Sequence, residues 1–235
     1  MIILGLSGKA RTGKSTLCTY LWNAAHELGW VVSSFPFAGP LKKEASDKGY
    51  TKESNPKMYR EYCQSIGAKK RQENPDHWTN LWFNSLKNAY KEEMEEAHVP
   101  VLYLVDDVRY DNEIKLLNKI GAVTCFVKHL DREIEDPKGA WRDHESEKLA
   151  NTLEETKDDE IKQTLKYNFV VHNNKEPEEL KAWASDFIKY ISAIDPCLCE
   201  SCMANFEMRE PNVKKLDEEL KEFMDDVLGD DDETS

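Results

Sequence analysis

Short apolar segments alternate with longer amphipathic ones over residues 1–191. Five of the apolar segments have the length and composition of buried strands; they are residues 1–6, 30–35, 99–105, 122–127 and 167–171. Between them, apolar side chains recur at helical spacing, which predicts helices. Strands and helices in alternation are typical of a three-layer α/β fold, so we predict a parallel sheet of about five strands with helices on both faces.

One predicted helix, over residues 58–66, carries polar side chains that suit ligand binding. Arg60 and Gln64 are four residues apart and therefore share a face. Gly67 is predicted to end or bend this helix. The basic cluster 69–71 follows, and it fits either a solvated helix end or a binding surface.

The segment between the first strand and the first helix has the pattern G-x-x-x-x-G-K-S over residues 8–15. A strand before it and a helix after it are the context in which this pattern forms a phosphate-binding loop. The alternative, a glycine turn that binds nothing, leaves that context unexplained. Lys14 is expected to reach the β- and γ-phosphates, and the Ser15 hydroxyl to bind Mg²⁺. The predicted ATP-binding residues are Gly8, Lys9, Ala10, Arg11, Thr12, Gly13, Lys14, Ser15 and Thr16.

Charged residues also follow the third predicted strand. Asp106 and Asp107 end that strand, where a carboxylate can support a magnesium ion. The alternative interpretation is that one of them caps the following helix. Arg109 lies at the same edge of the sheet, and its guanidinium can bind a phosphate through two parallel hydrogen bonds.

A polar segment with proline and glycine, residues 128–144, carries Arg132, Lys138 and Arg142. We predict a mobile excursion whose basic side chains close over transferring phosphates. His144 ends this segment without a nearby Cys-x-x-Cys pair, so we do not interpret it as a metal ligand.

The overall charge limits the partners. The net charge is −13, which argues against nucleic-acid binding through a basic surface. Residues 207–235 hold 12 acidic and 4 basic side chains, so most of the excess lies in the tail. No segment approaches the roughly 18 apolar residues of a membrane span, and the chain opens on a strand rather than a leader. We therefore expect a cytoplasmic protein that does not bind membranes.

The composition changes after residue 191, so we predict one domain over 1–191 and a tail over 192–235. The tail begins with three clustered cysteines, Cys197, Cys199 and Cys202. They are either free thiols on a linker or ligands of a structural zinc ion. Apolar residues at helical spacing from 216 to 227 then predict a short amphipathic helix, which docks on its own domain or on a partner.

Several further segments, in this order, resemble those of a known family. They are Phe37-Ala38-Gly39-Pro40-Leu41-Lys42, Arg60 with Gln64, Gly67 and Arg71, Asp107 to Glu113, His144-Glu145-Ser146-Glu147, and Tyr167 to Asn173. With the phosphate loop, residues 1–191 resemble the deoxynucleoside monophosphate kinases of bacteriophages, in the P-loop nucleoside monophosphate kinase group. The chain departs from that family in its tail and at Gly39 and Asn168, where the family often has Asp.

The resemblance implies transfer of the γ-phosphoryl group of ATP to a deoxynucleoside monophosphate, with Mg²⁺ as the metal and small nucleotides as the partners. Residues 40–98 would then hold the acceptor and 128–147 would form a lid. The implied catalytic residues are Lys14, Arg109, Arg132 and Arg142, and the implied metal-binding residues are Ser15 and Asp107. The implied acceptor-binding residues are Phe37, Lys42, Arg60, Gln64, Arg71 and Arg109, with Phe37 stacking on the base.

Two alternatives stay open at this point. The first is a different small-molecule kinase on the same scaffold, of the phosphomevalonate or dephospho-coenzyme-A type. The second is a nucleotide-binding interaction module whose acidic tail contacts a partner. The sequence also leaves open whether the protein forms a homodimer.

Overall fold

The computed structural model describes residues 2–96, 100–129, 145–164, 166–173 and 176–194. Its strands are β1 (Ile2–Ser7), β2 (Val31–Ser34), β3 (Val101–Val108), β4 (Val123–Lys128) and β5 (Phe169–His172). Its helices are α1 (Lys14–Glu27), α2 (Gly39–Asp47), α3 (Pro56–Glu73), α4 (His77–Glu96), α5 (Asp111–Lys119), α6 (Glu145–Glu155), α7 (Asp158–Thr164) and α8 (Pro177–Ile194). The clustered cysteines and the amphipathic segment of the tail lie outside the described residues.

The five strands form one sheet in the order β2-β3-β1-β4-β5, and every neighbouring pair is parallel. The central strand β1 therefore has β3 on one side and β4 on the other. The connection from β1 runs to β2 on one side, whereas the connection from its neighbour β4 runs to β5 on the other side. Ligands bind at such a switch point, outside the carboxyl ends of the strands. The predicted parallel sheet of about five strands is confirmed.

Helices cover both faces of the sheet, because side chains alternate along each strand. Leu4 and Leu6 of β1 pack into one core with α1 and α8. Ile3 of β1 packs into a second core, on the other face, with α4, α5, α6 and α7. The three-layer arrangement is thus confirmed. No helix in the described ranges is long and apolar enough to cross a membrane.

Helix α3 differs from its prediction, because it runs through Gly67 to Glu73. Gly67 is buried where α3 crosses α2, and a Cβ atom there would lie 3.2 Å from a methyl carbon of Leu41. The Trp78 indole also donates a hydrogen bond to the Gly67 carbonyl, at 3.2 Å. This glycine therefore permits close helix packing, and the prediction that it ends the helix is wrong.

Candidate functional site

The segment between β1 and α1 forms a tight loop over the carboxyl end of β1. Gly8 and Gly13 have φ angles of 144° and 92°, which favour glycine. A Cβ atom on Gly8 would lie 2.4 Å from the carbonyl oxygen of Val127, so only glycine fits against β4. Thr12 donates its backbone N–H (3.3 Å) and its hydroxyl (2.9 Å) to the carbonyl of Lys9. This loop has the curvature that turns backbone N–H groups toward an anion.

The loop is also held from the far edge of the sheet. Asn173 follows β5, and its side-chain amide donates to the Thr12 carbonyl at 2.9 Å. Its backbone N–H donates to the Lys128 carbonyl at 2.8 Å. Asn173 therefore connects the last strand to the phosphate loop, a role that its place in the sequence did not indicate.

Lys14 folds back over the loop. Its ammonium group donates to the carbonyls of Gly8 and Lys9, each at 2.7 Å. Burial, and next the positive charge of Arg109, lower the pKa of Lys14 to about 8, against the opposing effect of the Glu147 and Asp106 carboxylates. The lysine thus lies at the mouth of the loop, where burial and Arg109 disfavour its charge more than the neighbouring carboxylates favour it.

The two acids at the end of β3 lie on opposite faces of the sheet. Asp107 accepts hydrogen bonds from the backbone N–H groups of Phe37 (2.7 Å) and Ala38 (3.0 Å). Its carboxylate also lies 3.7 Å from the Lys42 ammonium. Burial raises the pKa of Asp107, and Lys42 and these two amides oppose that shift. Asp107 therefore anchors the loop after β2, and its predicted metal role stays a prediction.

Asp106 lies on the side of the phosphate loop. Its negative charge raises the pKa of Lys14 against the effect of burial, and it also acts on Cys18 of α1. The alternation of side chains along β3 explains why neighbouring acids have different surroundings. Of the pair, Asp106 is the carboxylate placed to support a metal ion bound with phosphates.

Phe37 does not offer a ring to a ligand. Its side chain is 2 % exposed, and its ring centroid lies 4.4 Å from that of Trp82. The Trp82 indole donates to the Phe35 carbonyl at 2.8 Å, which fixes the tryptophan beneath the loop. The prediction that Phe37 stacks on a base is therefore wrong, because Trp82 holds the ring in the core.

Arg109 and Tyr110, which follow β3, are positioned by a buried carboxylate. Glu113 accepts hydrogen bonds from the backbone N–H groups of Arg109 (2.7 Å) and Tyr110 (3.1 Å). Burial raises the pKa of Glu113 to about 8, and these backbone hydrogen bonds oppose the shift. The rigid turn before α5 directs the Arg109 guanidinium to Glu147 of α6, with which it forms an ion pair. Sequence reasoning missed Glu147, because an acid in the first turn of a helix already had an explanation.

The predicted acceptor residues of α3 share one face but differ in position. Arg71 is half-buried, and its guanidinium lies 4.0 Å from the centre of the Tyr110 ring. Gln64 and Arg60 are exposed and lie about 10 and 16 Å farther along the helix axis, at 1.5 Å per residue. The structure therefore brings Arg71 next to the segment that carries Arg109, and leaves Arg60 and Gln64 on an open surface.

The surroundings of Ser15 suit a magnesium ion. Ser15 is exposed in the first turn of α1, and Asp106 is a second oxygen donor on the same side of the sheet. No group of three or more His, Cys, Asp or Glu side chains suited to a metal occurs in the part of the chain that is described. Mg²⁺ needs no such cage, since it binds through one or two protein oxygens together with phosphates and water. The predicted arginines Arg132 and Arg142 lie outside the described residues.

Fold and site together define a class: parallel α/β proteins with a formed phosphate loop at the centre of the sheet edge and basic side chains beside it. No protein-family model matches the sequence, and no curated protein sequence does.

Several solved structures resemble the chain in fold, and three of them are shikimate kinases. The enzyme from Aquifex aeolicus vf5 has 15% identity and a TM-score of 0.41, with 82% of this chain and 99% of that one covered. The Acinetobacter baumannii enzyme, in complex with shikimate, has 13% identity and a TM-score of 0.40, with 83% and 96% covered. The Bacteroides thetaiotaomicron enzyme has 14% identity and a TM-score of 0.39, with 80% of this chain and 98% of that one covered.

Proposed function

We propose that the protein transfers the γ-phosphoryl group of ATP to a deoxynucleoside monophosphate, giving the diphosphate and ADP. The observation that carries the proposal is the formed phosphate loop with Lys14 at its mouth, next to the segment that holds Arg109. Such transfer needs little covalent help from the protein. It depends on in-line positioning and on positive charge around the transferring group.

On the donor side, the backbone N–H groups of the phosphate loop and the Lys14 ammonium hold the β- and γ-phosphates. Ser15 and Asp106 are the groups that would hold Mg²⁺, which supplies positive charge to the phosphate oxygens when it is bound. Arg109 stabilises the negative charge that grows on the transferring group. Arg132 and Arg142 are proposed to add to that charge.

On the acceptor side, Arg71 and Lys42 are the proposed phosphate-binding groups. Arg71 is held against Tyr110, and Lys42 is half-exposed at the start of α2. Gln64 carries both a donor and an acceptor on one amide, so it can pair with more than one base edge. The expected preference for deoxynucleotides follows from the resemblance to the deoxynucleoside monophosphate kinases of bacteriophages.

The test is a panel of acceptors, each supplied singly with MgATP, with ADP release as the readout. We expect deoxynucleoside monophosphates to raise ADP release strongly and ribonucleotides to raise it less. Gln64→Ala should change the ranking among bases more than the use of ATP, whereas Gln163→Ala, an exposed glutamine of α7, should leave the ranking unchanged. Higher turnover of phosphomevalonate or dephospho-coenzyme A than of every deoxynucleotide would contradict the proposed acceptor.

A second prediction separates the two acids of β3. Asp106→Asn should lower turnover about 10–100-fold at a fixed Mg²⁺ concentration, a size typical of groups that support a metal. It should also raise the Mg²⁺ concentration needed for half-maximal activity, measured as ADP release in a magnesium titration. Asp107→Asn is the matched control, since it weakens the bonds to Phe37 and Ala38 and should cost about 1–3 kcal/mol of folding free energy. If only Asp107→Asn changed the magnesium dependence, the assignment of Asp106 would be wrong.

A further inference from the structure

The carboxylate of Glu147 contacts two of the groups that would bind a phosphate at the loop. One of its oxygens accepts the backbone N–H of Ala10, inside the phosphate loop, at 3.2 Å. The other pairs with the Arg109 guanidinium. An anion is therefore already present at this loop, and it belongs to the protein itself.

The Glu147 side chain is buried between α6 and the phosphate loop rather than exposed on the surface. It is 5 % exposed, and a buried carboxylate is costly unless charged or polar groups pair with it. It lies in the first turn of α6, where the positive end of the helix favours an anion. Two turns farther on, Glu154 of the same helix accepts the His129 backbone N–H at 3.0 Å, so α6 is attached to the sheet edge at both points.

Lys14 completes the arrangement, because its ammonium donates to the carbonyls of Gly8 and Lys9. The Ala10 amide, Arg109 and Lys14 all have partners within the protein. An arriving phosphate must replace Glu147 at the Ala10 amide and compete with it for Arg109, so its binding gains only the difference between the new contacts and the old ones.

We propose that Glu147 is an autoinhibitory phosphate mimic, which rests on the proposed phosphate-binding role of the loop. The Ala10 N–H has one hydrogen, and two anions at one position repel each other. Glu147 and a nucleotide phosphate therefore exclude each other at this amide. When a triphosphate binds, the Arg109 guanidinium exchanges its ion pair with Glu147 for one with the phosphate. The hydrogen bond between Glu147 and Ala10 then breaks, and the first turn of α6 moves away from the loop.

The experiment measures binding of inorganic tripolyphosphate to the full-length protein by titration calorimetry. Glu147→Gln keeps the shape of the side chain and an oxygen for the Ala10 amide but removes the charge. We expect it to bind tripolyphosphate about tenfold more tightly than the parent, the size of one charge-assisted hydrogen bond. Glu147→Asp keeps the charge but is too short to contact both groups, and it should also bind more tightly than the parent.

Two controls separate direct contact from general charge. Glu154→Gln removes a carboxylate on the same helix that acts on Lys14 without a bond to the loop, and its gain should be clearly smaller. Glu155→Gln removes an exposed carboxylate of α6 and should leave the affinity unchanged. An equal gain in Glu154→Gln, or no gain in either Glu147 variant, overturns the inference while the phosphate site stands.

The outcomes also distinguish this inference from the proposed reaction. If neither the parent nor Glu147→Gln binds tripolyphosphate, the phosphate loop assignment fails and the inference fails with it. If Glu147→Gln binds more tightly but no acceptor is turned over, the inference stands and the phosphoryl-transfer proposal fails.

Discussion

Replacing Lys14 by alanine is expected to abolish phosphoryl transfer and to leave the protein folded. The Lys14 ammonium lies at the mouth of the phosphate loop, where the proposed reaction would build up negative charge in its transition state. Loss of such a preorganised group lowers turnover on the order of 10³-fold. The measurement is ADP release in the presence of the best acceptor, with Lys43→Ala, an exposed lysine of α2, as the matched control. Activity of Lys14→Ala within a few-fold of the parent would show that the loop has been misassigned.

The protonation of Lys14 gives the same prediction a second readout. Its pKa is about 8 in the protein without ligand, compared with about 10.4 in a free side chain. A bound triphosphate raises this pKa, because nearby negative charge favours the ammonium form. Above pH 8 the free protein has lost a proton that the complex keeps, so affinity should fall as pH rises through 8. Calorimetry in buffers of different ionisation enthalpy should detect proton uptake in the parent and not in Lys14→Ala.

Replacing Trp82 by alanine is expected to have the largest effect on stability, about 3–5 kcal/mol of the free energy of unfolding. Trp82 is fully buried, packs against Phe37 and donates to the Phe35 carbonyl. Its removal leaves a cavity and an unpaired carbonyl beneath the loop that Asp107 anchors. Urea unfolding of the variant and the parent measures the loss in free energy of unfolding.

Trp22 supplies the control for that experiment. Its side chain is 37% exposed on α1, so Trp22→Ala removes the same atoms from a far less buried position and should cost much less. If the two variants lost similar free energies of unfolding, Trp82 would not be the support of the loop after β2. A folded Trp82→Ala protein should also bind its acceptor more weakly, since Phe37 and Ala38 lose their packing partner.

The sequence was sufficient to predict the sheet and the phosphate loop, because both are local patterns. Five apolar segments predicted five strands, and the glycine spacing predicted the loop over residues 8–15. The surroundings of single side chains were harder to predict. Whether Phe37 faces a ligand or the core depends on Trp82, which comes from a distant helix. Gly67 likewise indicated a helix end until its packing against Leu41 was known.

The surroundings of the acidic residues of the site were likewise hard to predict from the sequence. Alternation along β3 requires Asp106 and Asp107 to point to opposite faces, but it does not say which face holds the phosphate loop. That depends on where α1 and the loop after β2 pack. The segment that holds Glu147 was part of the family resemblance, but its contacts with Ala10 and Arg109 join three separate parts of the chain and could not be predicted. Its role follows only from the tertiary structure.

The amide of Asn173 has a consequence for the order in which the site forms. The phosphate loop lies near the start of the chain, yet the residue that holds it lies 161 positions later. Contacts between such distant residues form late, because a long segment must first be closed. On a chain made from its amino end, the loop would therefore exist without its support until Asn173 has been added. The loop gains this hydrogen bond only when the fifth strand joins the sheet, so a bound phosphate is expected to stabilise the finished fold more than its early intermediates.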